Sequence, residues 1–230
     1  MLRMEFFVDL THKSDTVLRA DNLACRRGLR PVYQGLTLAL ASGEALALYG
    51  ANGSGKTSLL RQLAGFLALD AGRLSDLPPR HYLGHADGLK AAMRVDEALA
   101  FEARLQGGVA TAKTHKAADL LSMVGLGGRA AQAVGDLSAG QRRRLALARL
   151  IVAPRPLWLL DEPLTALDAA GSDLVSALAQ AHLACGGMIV AASHQPLDFA
   201  TQQLNMTDFT ADFTADFAAD FAAKPAEPVS

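Results

Sequence analysis

The chain has little with which to cross-link or chelate. Of its 230 residues only two are cysteine, and Cys25 and Cys185 lie far apart with no metal-type spacing around either. A disulfide scaffold and a cysteine zinc site are excluded, and both thiols read as reduced and partly buried. An excess of one charge is missing too: 22 basic and 23 acidic residues are mixed along the sequence, for a net charge of −1. No phosphate-neutralising surface stands out, which argues against bulk DNA or RNA binding. The most apolar stretch, Leu36 to Tyr49, is cut by Ser42-Gly43-Glu44 before it reaches membrane-spanning length. The opening residues MLRMEFFVDLTHKSD meet charge too early for a secretory core, so the expected location is the cytoplasm.

What is present is the pattern of one α/β domain with a small inserted subdomain. After an extension of residues 1–16, Val17 to Leu40 alternates in short apolar steps broken by Gly28, Pro31 and Gly35, which predicts an antiparallel β-layer. Ala45 to Tyr49 is a compact strand that runs into a glycine-rich turn, and Thr57 to Leu67 follows with helical spacing of Leu59, Leu60, Leu63 and Phe66. From about 87 to 149 the chain is Ala- and Leu-rich with helical periodicity, interrupted at Gly107-Gly108 and Gly125 to Gly128, which predicts an inserted helical subdomain. Leu157 to Leu160 and Met188 to Ala192 are buried strands on either side of a helix over Leu174 to Leu183, the mark of a parallel sheet with crossover helices. The domain is expected to span 17–204. In the tail, 205–230, Asp208, Asp212, Asp216 and Asp220 are each followed by Phe. It reads as a low-complexity segment, disordered or weakly helical, whose removal should spare the chemistry; the alternative is an acidic and aromatic helix that docks on a partner.

The chemistry gathers in three places. Gly50-Ala51-Asn52-Gly53-Ser54-Gly55-Lys56-Thr57 fits GxxxxGK[ST] between a predicted strand and a predicted helix. Its glycines let backbone N–H groups turn inward around phosphates, and the helix start aims its positive end at the same anion. Gly50, Asn52, Gly53, Ser54, Gly55, Lys56, Thr57 and Ser58 are therefore the candidate nucleotide cradle, with Lys56 on the β- and γ-phosphates of ATP and the Thr57 hydroxyl on Mg²⁺. Leu157 to Leu160 ends in Asp161-Glu162, a pair in which one carboxylate can hold the metal and the next can polarise water. Leu137-Ser138-Ala139-Gly140-Gln141 then opens a helix, and Arg142-Arg143-Arg144 after it reads as a solvated face, with a nucleic-acid patch as the less favoured reading.

These motifs, with Thr165-Ala166-Leu167-Asp168 and Ser193-His194 downstream, span Gly50 to His194, and together they resemble the ABC transporter ATPases. The resemblance implies a P-loop NTPase fold: α/β, with a mostly parallel core sheet, an N-terminal antiparallel β-layer and the helical insertion. It implies an ATP-hydrolysing subunit that forms a head-to-tail ATP-sandwich dimer with itself. Ser138, Gly140 and Gln141 would meet the γ-phosphate held by the other copy, and Asp168 would cross between the two sites. Thr57 and Asp161 are the implied metal ligands, and Glu162 and His194 the implied catalytic residues. The chain departs from the family where a Gln normally ends a strand after the first motif. His85, in Tyr82-Leu83-Gly84-His85, stands there, and an imidazole can bond water but titrates near neutral pH. No aromatic precedes the first motif to stack on adenine; Arg27 could stack by its guanidinium plane, and Tyr33 reads as core.

Tyr82 to Lys90, the Ser138 to Arg144 segment and Pro156 to Pro163 further resemble the ATP-binding export proteins of cytochrome c biogenesis. That resemblance implies integral membrane subunits of a cytochrome c maturation complex as partners, a place on the cytoplasmic face of the bacterial inner membrane, and haem export or release to a periplasmic haem chaperone. His81, His85 and Cys25 are conceivable haem ligands, but nucleotide-site or core roles suit them better. An ABC transporter subunit for another substrate is the alternative. DNA-repair ATPases of the same type carry long coiled coils between the two motifs, whereas here 82 positions without a heptad run separate Lys56 from Ser138.

Overall fold

The computed structural model describes residues 17–105 and 117–210. Residues 1–16, Gly107-Gly108 and the tail from 211 onward, with Asp212, Asp216 and Asp220 and the Phe after each, lie outside the described residues.

Alternation from Val17 to Ala41 builds a hairpin. β1 (Val17–Arg27) and β2 (Arg30–Ala41) pair antiparallel, and β4 (Ala71–Leu74) adds to the other edge of β1. One face of this sheet buries Leu18, Ala20, Leu23, Leu36, Leu38 and Leu40.

A second sheet is wholly parallel among the described residues. Its order is β5 (Arg80–Leu83), β6 (Leu157–Asp161), β7 (Met188–Ala192), β3 (Ala45–Tyr49) and β8 (Gln202–Asn205). The inner strands are apolar up to their carboxyl ends because both of their faces are covered. Leu46, Leu48, Leu157, Leu159, Met188 and Val190 point to the antiparallel sheet and α1 (Lys56–Ala64). Ala45, Ala47, Trp158, Leu160, Ile189 and Ala191 point instead to α2 (Val95–Leu105), α3 (Ala117–Met123), α4 (Ala139–Val152) and α5 (Ala169–Ala184). No helix of the described residues is long and apolar enough to cross a membrane.

Four expectations change. α1 stops at Ala64 rather than Leu67, because Gly65 takes a left-handed φ of 81° and turns its N–H onto the carbonyls of Arg61 and Gln62, leaving Phe66 exposed. α5 starts at Ala169 rather than Leu174, because Asp168 caps it by accepting from the Gly171 N–H at 2.9 Å. Strands β4 and β8 go unforeseen, since AGRL and QQLN carry no apolar run. Finally, the packed body runs past Leu204. Asn205 pairs with Tyr49 at the end of β3, a 3-10 turn covers Met206–Phe209, and Met206 is fully buried.

Candidate nucleotide-binding site

Because the five strands are parallel, their carboxyl ends open along one edge, where ligands of open α/β sheets bind. β3 delivers the Gly50 loop there, β5 delivers His85, β6 ends in Asp161 and Glu162, and β7 leads into Ser193 and His194. A cavity of about 440 Å³ lies on that edge. It is lined by Asn52, Gly53, Gly55, Lys56, Thr57, Ser58, His85, Asp161, Glu162 and His194, with Arg27 and Val32 from the antiparallel sheet.

The loop is shaped by what surrounds it. Gly55 sits at φ 100° with Tyr33 and Val32 packed so close that an added Cβ would lie 2.7 Å from the tyrosine ring. No other residue fits there. Gly55 also precedes α1 with no side-chain cap, so the first N–H groups of that helix keep their polarity for an anion. Lys56 is buried, and its Nζ donates to the carbonyls of Gly50 at 2.6 Å and Ala51 at 3.1 Å. An ammonium has three donors, so one remains. The Ser54 Oγ is buried with no hydrogen-bond partner, a hydroxyl left over by the fold inside an anion-shaped loop.

Opposite the loop, Thr57 Oγ1 donates to Asp161 Oδ1 at 3.2 Å. Hydroxyl and carboxylate are the hard oxygen pair that Mg²⁺ takes alongside water and phosphate. Glu162 adopts a left-handed φ of 51°, uncommon for a residue with a side chain. His194 meets its carboxylate twice, by backbone N–H to Oε2 and by Nε2 to Oε1, each at 3.4 Å.

The Ser138 segment is not in this cavity. Ser138 caps α4 in a reciprocal box: its Oγ accepts from the Gln141 N–H at 3.2 Å, and its N–H donates to Gln141 Oε1 at 2.9 Å. Gly140 abuts Ala166, whose carbonyl oxygen would lie 2.9 Å from an added Cβ. Asp168 accepts from Arg144 at 2.7 Å, and the Gly171 N–H, then Arg144, hold its carboxyl below the usual range. These residues form a separate, largely exposed surface next to the cleft.

Tyr33 is fully buried, with its hydroxyl donating to Gln62, and burial raises its pKa. Arg27 does reach the cavity and donates to Ser58 Oγ at 3.4 Å. His81 lies inside the body, with a ring nitrogen 2.6 Å from the Ala153 carbonyl oxygen, and burial lowers its pKa to about 4. Cys25 is buried, and burial pushes its thiol up. The reading of Arg142 to Arg144 as a solvated face fails at Arg143, which is 3% exposed. A signal was available, since Arg143 shares the helical stripe of buried Ala146, Leu147 and Leu150. Val32, Asn205 and Thr207 were missed as well, the last two because their contact with Gly50 is nonlocal.

Comparison with known proteins agrees with this geometry. Residues 33–165 match the family model described as ABC transporter. The cytochrome c biogenesis ATP-binding export protein CcmA of Nitrobacter hamburgensis is 48% identical over 198 residues, covering 82% of this chain and 97% of that protein. Its namesake from Rhizobium meliloti is 45% identical over 209 residues, covering 84% and 98%. A solved ABC transporter ATP-binding protein from Pyrococcus furiosus superposes with a TM-score of 0.71 at 21% identity, over 85% of this chain and all of that one, a likeness of fold alone. By these matches the chain belongs to the CcmA family of ABC transporter ATP-binding proteins.

Proposed function

We propose that this chain is the ATP-hydrolysing subunit of an ABC transporter complex for cytochrome c maturation, coupling hydrolysis to haem export or to release of haem to a periplasmic chaperone. One observation carries the hydrolytic part: Lys56, Thr57, Asp161, Glu162 and His194, from three strand ends, line a single cleft beside an uncapped helix start. The pathway rests on the relatives' names.

In this reading the 50–58 loop wraps the phosphates, Lys56 turns its free donor to the β- and γ-phosphates, and Ser54 supplies its unpartnered hydroxyl. Thr57 and Asp161 would hold Mg²⁺, which would neutralise charge on the phosphate oxygens. Glu162 accepts a proton from the attacking water, His194 keeps that carboxylate and the γ-phosphate in register, and His85 takes the place of the usual glutamine. Ser138, Gly140 and Gln141 face the γ-phosphate of a second copy in a head-to-tail dimer, with Asp168 beside them, so ATP glues the pair and hydrolysis releases it. The domain comprises the body from 17 to about 210, with its helical subdomain at about 87–149. Membrane subunits hold it at the cytoplasmic face of the inner membrane.

Glu162→Gln protein with ATP and Mg²⁺ should elute as a dimer on size exclusion and return to monomer with ADP; a persistent monomer sinks the sandwich. Affinity capture from membranes should recover cytochrome c maturation subunits, and recovery of a different transporter's subunits would reassign the cargo.

A further inference from the structure

The cleft is tied to α4 by one buried cation. Every nitrogen of the Arg143 guanidinium is engaged. Nη2 donates to the carbonyls of Asp161 at 3.0 Å and Glu162 at 2.7 Å, and Nε reaches that of Pro163 at 3.4 Å. Nη1 donates to the Gly84 carbonyl at 3.0 Å and to Asp87 Oδ1 at 3.1 Å. The fork thus clasps two segments. One is the turn that holds Glu162 in its left-handed conformation, anchored on its other side by the Glu162 N–H on the Ala192 carbonyl at 2.9 Å. The other is the 84–87 loop that carries His85 into the cavity, and Arg149, six residues on, grips the same loop through the Asp87 carbonyl at 2.7 Å.

A left-handed turn at a residue with a side chain stores strain and persists only where its surroundings over-determine it. Arg143 touches neither the cavity nor Thr57, and its partners are backbone carbonyls and Asp87. A buried guanidinium is costly unless all its donors are satisfied, and only a planar fork can satisfy two separate segments at once. We propose that Arg143 is a positioning residue for hydrolysis: it sets the Glu162 carboxylate and His85 relative to the bound nucleotide, and through it the orientation of α4 reaches both. This rests on the hydrolytic reading of the cleft.

The test compares wild type, Arg143→Met, Arg143→Lys and Asp87→Asn as full-length proteins. Readouts are steady-state phosphate release, equilibrium binding of a fluorescent ATP analogue, and thermal unfolding. Arg143→Met should lower kcat by about tenfold or more, while KM and analogue affinity stay within about threefold, the signature of an interaction used only in the transition state. Arg143→Lys should recover part of the loss, because an ammonium reaches one segment but not both. Asp87→Asn should lower kcat by about threefold in wild type, and in a double variant it should add nothing to Arg143→Met, which has already lost the shared contact. A folded Arg143→Met with kcat within twofold of wild type overturns the proposal, and so does a parallel fall in kcat and affinity in both Arg143 variants. If Arg143→Met does not fold, the Lys and Asn variants decide alone, and unchanged kcat in both overturns it. Failure of wild type to bind or split ATP would instead remove the hydrolytic reading itself.

Discussion

The starts of α1 and α4 both carry one of the sequence motifs, and they are built differently. The Gly50 to Ser58 loop is internally supported: Lys56 and Ser54 are buried, Tyr33 packs on Gly55, and α1 is left uncapped. The Ser138 to Gln141 tip is exposed at Ser138 and Ala139, capped by its own side chains, and backed at Gly140 by the Ala166 carbonyl. The first is equipped to hold an anion within one chain. The second has its local hydrogen bonds closed and offers N–H groups only to something brought from outside.

Mutations at the two places should therefore separate binding from turnover. Lys56→Ala removes the buried charge that lines the cleft, and on the proposed reading analogue affinity should fall by roughly a hundredfold or more in dilute, monomeric protein. Ser138→Arg should leave that affinity within about threefold yet reduce phosphate release by more than about tenfold. Equal loss of binding in the two variants would show that the tip serves its own chain's nucleotide. That would remove the difference between the two places.

Support of the loop from outside its own motif comes from an unexpected quarter. An added Cβ on Gly50 would lie 3.0 Å from Thr207 Oγ1 and 3.3 Å from Asn205 Oδ1, so the 205–207 segment packs directly against the cradle. Met206 is buried beneath it. A chain ending at Thr210 should hydrolyse ATP within about twofold of full length, whereas one ending at Leu204 should lose about tenfold and unfold at lower temperature. Matching activity in the two truncations would show that the loop stands without this brace.

The body carrying both places can be loosened without touching either. His81 and His182 are buried and neutral, their pKa values lowered by burial to about 4 and about 3, while an unfolded imidazole titrates near 6.5. Below that value the unfolded chain binds more protons, so the stability these groups permit is intact above about pH 7 and lost as pH falls through 6.5 toward 4. Roughly 2 kcal/mol per histidine should be gone by pH 5. The sole tryptophan, Trp158, stacks on His182 with ring centroids 3.9 Å apart, so its fluorescence reports directly. The urea midpoint should drop between pH 7.5 and 5, less so in His81→Gln. An unchanged midpoint would mean that the imidazoles gain compensating partners.

Much of this was readable from the chain, for reasons that differ by region. The strands that deliver the cleft are apolar runs ending in polar residues, Ala45 to Tyr49 and Leu157 to Asp161, and such runs declare themselves locally. The loop and the carboxylate pair that the spacing singled out meet at one cleft, because the strands that lead into them run parallel. Two kinds of feature stayed hidden. Gln202 to Asn205 and Ala71 to Leu74 are strands only because a neighbouring strand offers its hydrogen bonds. Arg143 was read by its charge, although its helical position placed it among buried neighbours; tertiary carbonyls, invisible in a local window, are what make that burial tolerable.

The smallest effects should come from adjacent residues at the exposed tip. Ala139 stands where the family motif usually has glycine, yet it is exposed in the first turn of α4, where no left-handed backbone is required. Gly140 has a backbone oxygen in the space its Cβ would fill. Gly140→Ala must push back Ala166, itself at a left-handed φ of 65°, and with it the segment leading to Asp168. Turnover should fall by about fivefold. Ala139→Gly restores the usual motif at a cost of up to about 1 kcal/mol in helix propensity, and turnover should change by less than about twofold. A large gain from Ala139→Gly would mean that a methyl group at the tip obstructs the approach of the second copy, and the steric demand would then belong to the partner's nucleotide rather than to Ala166.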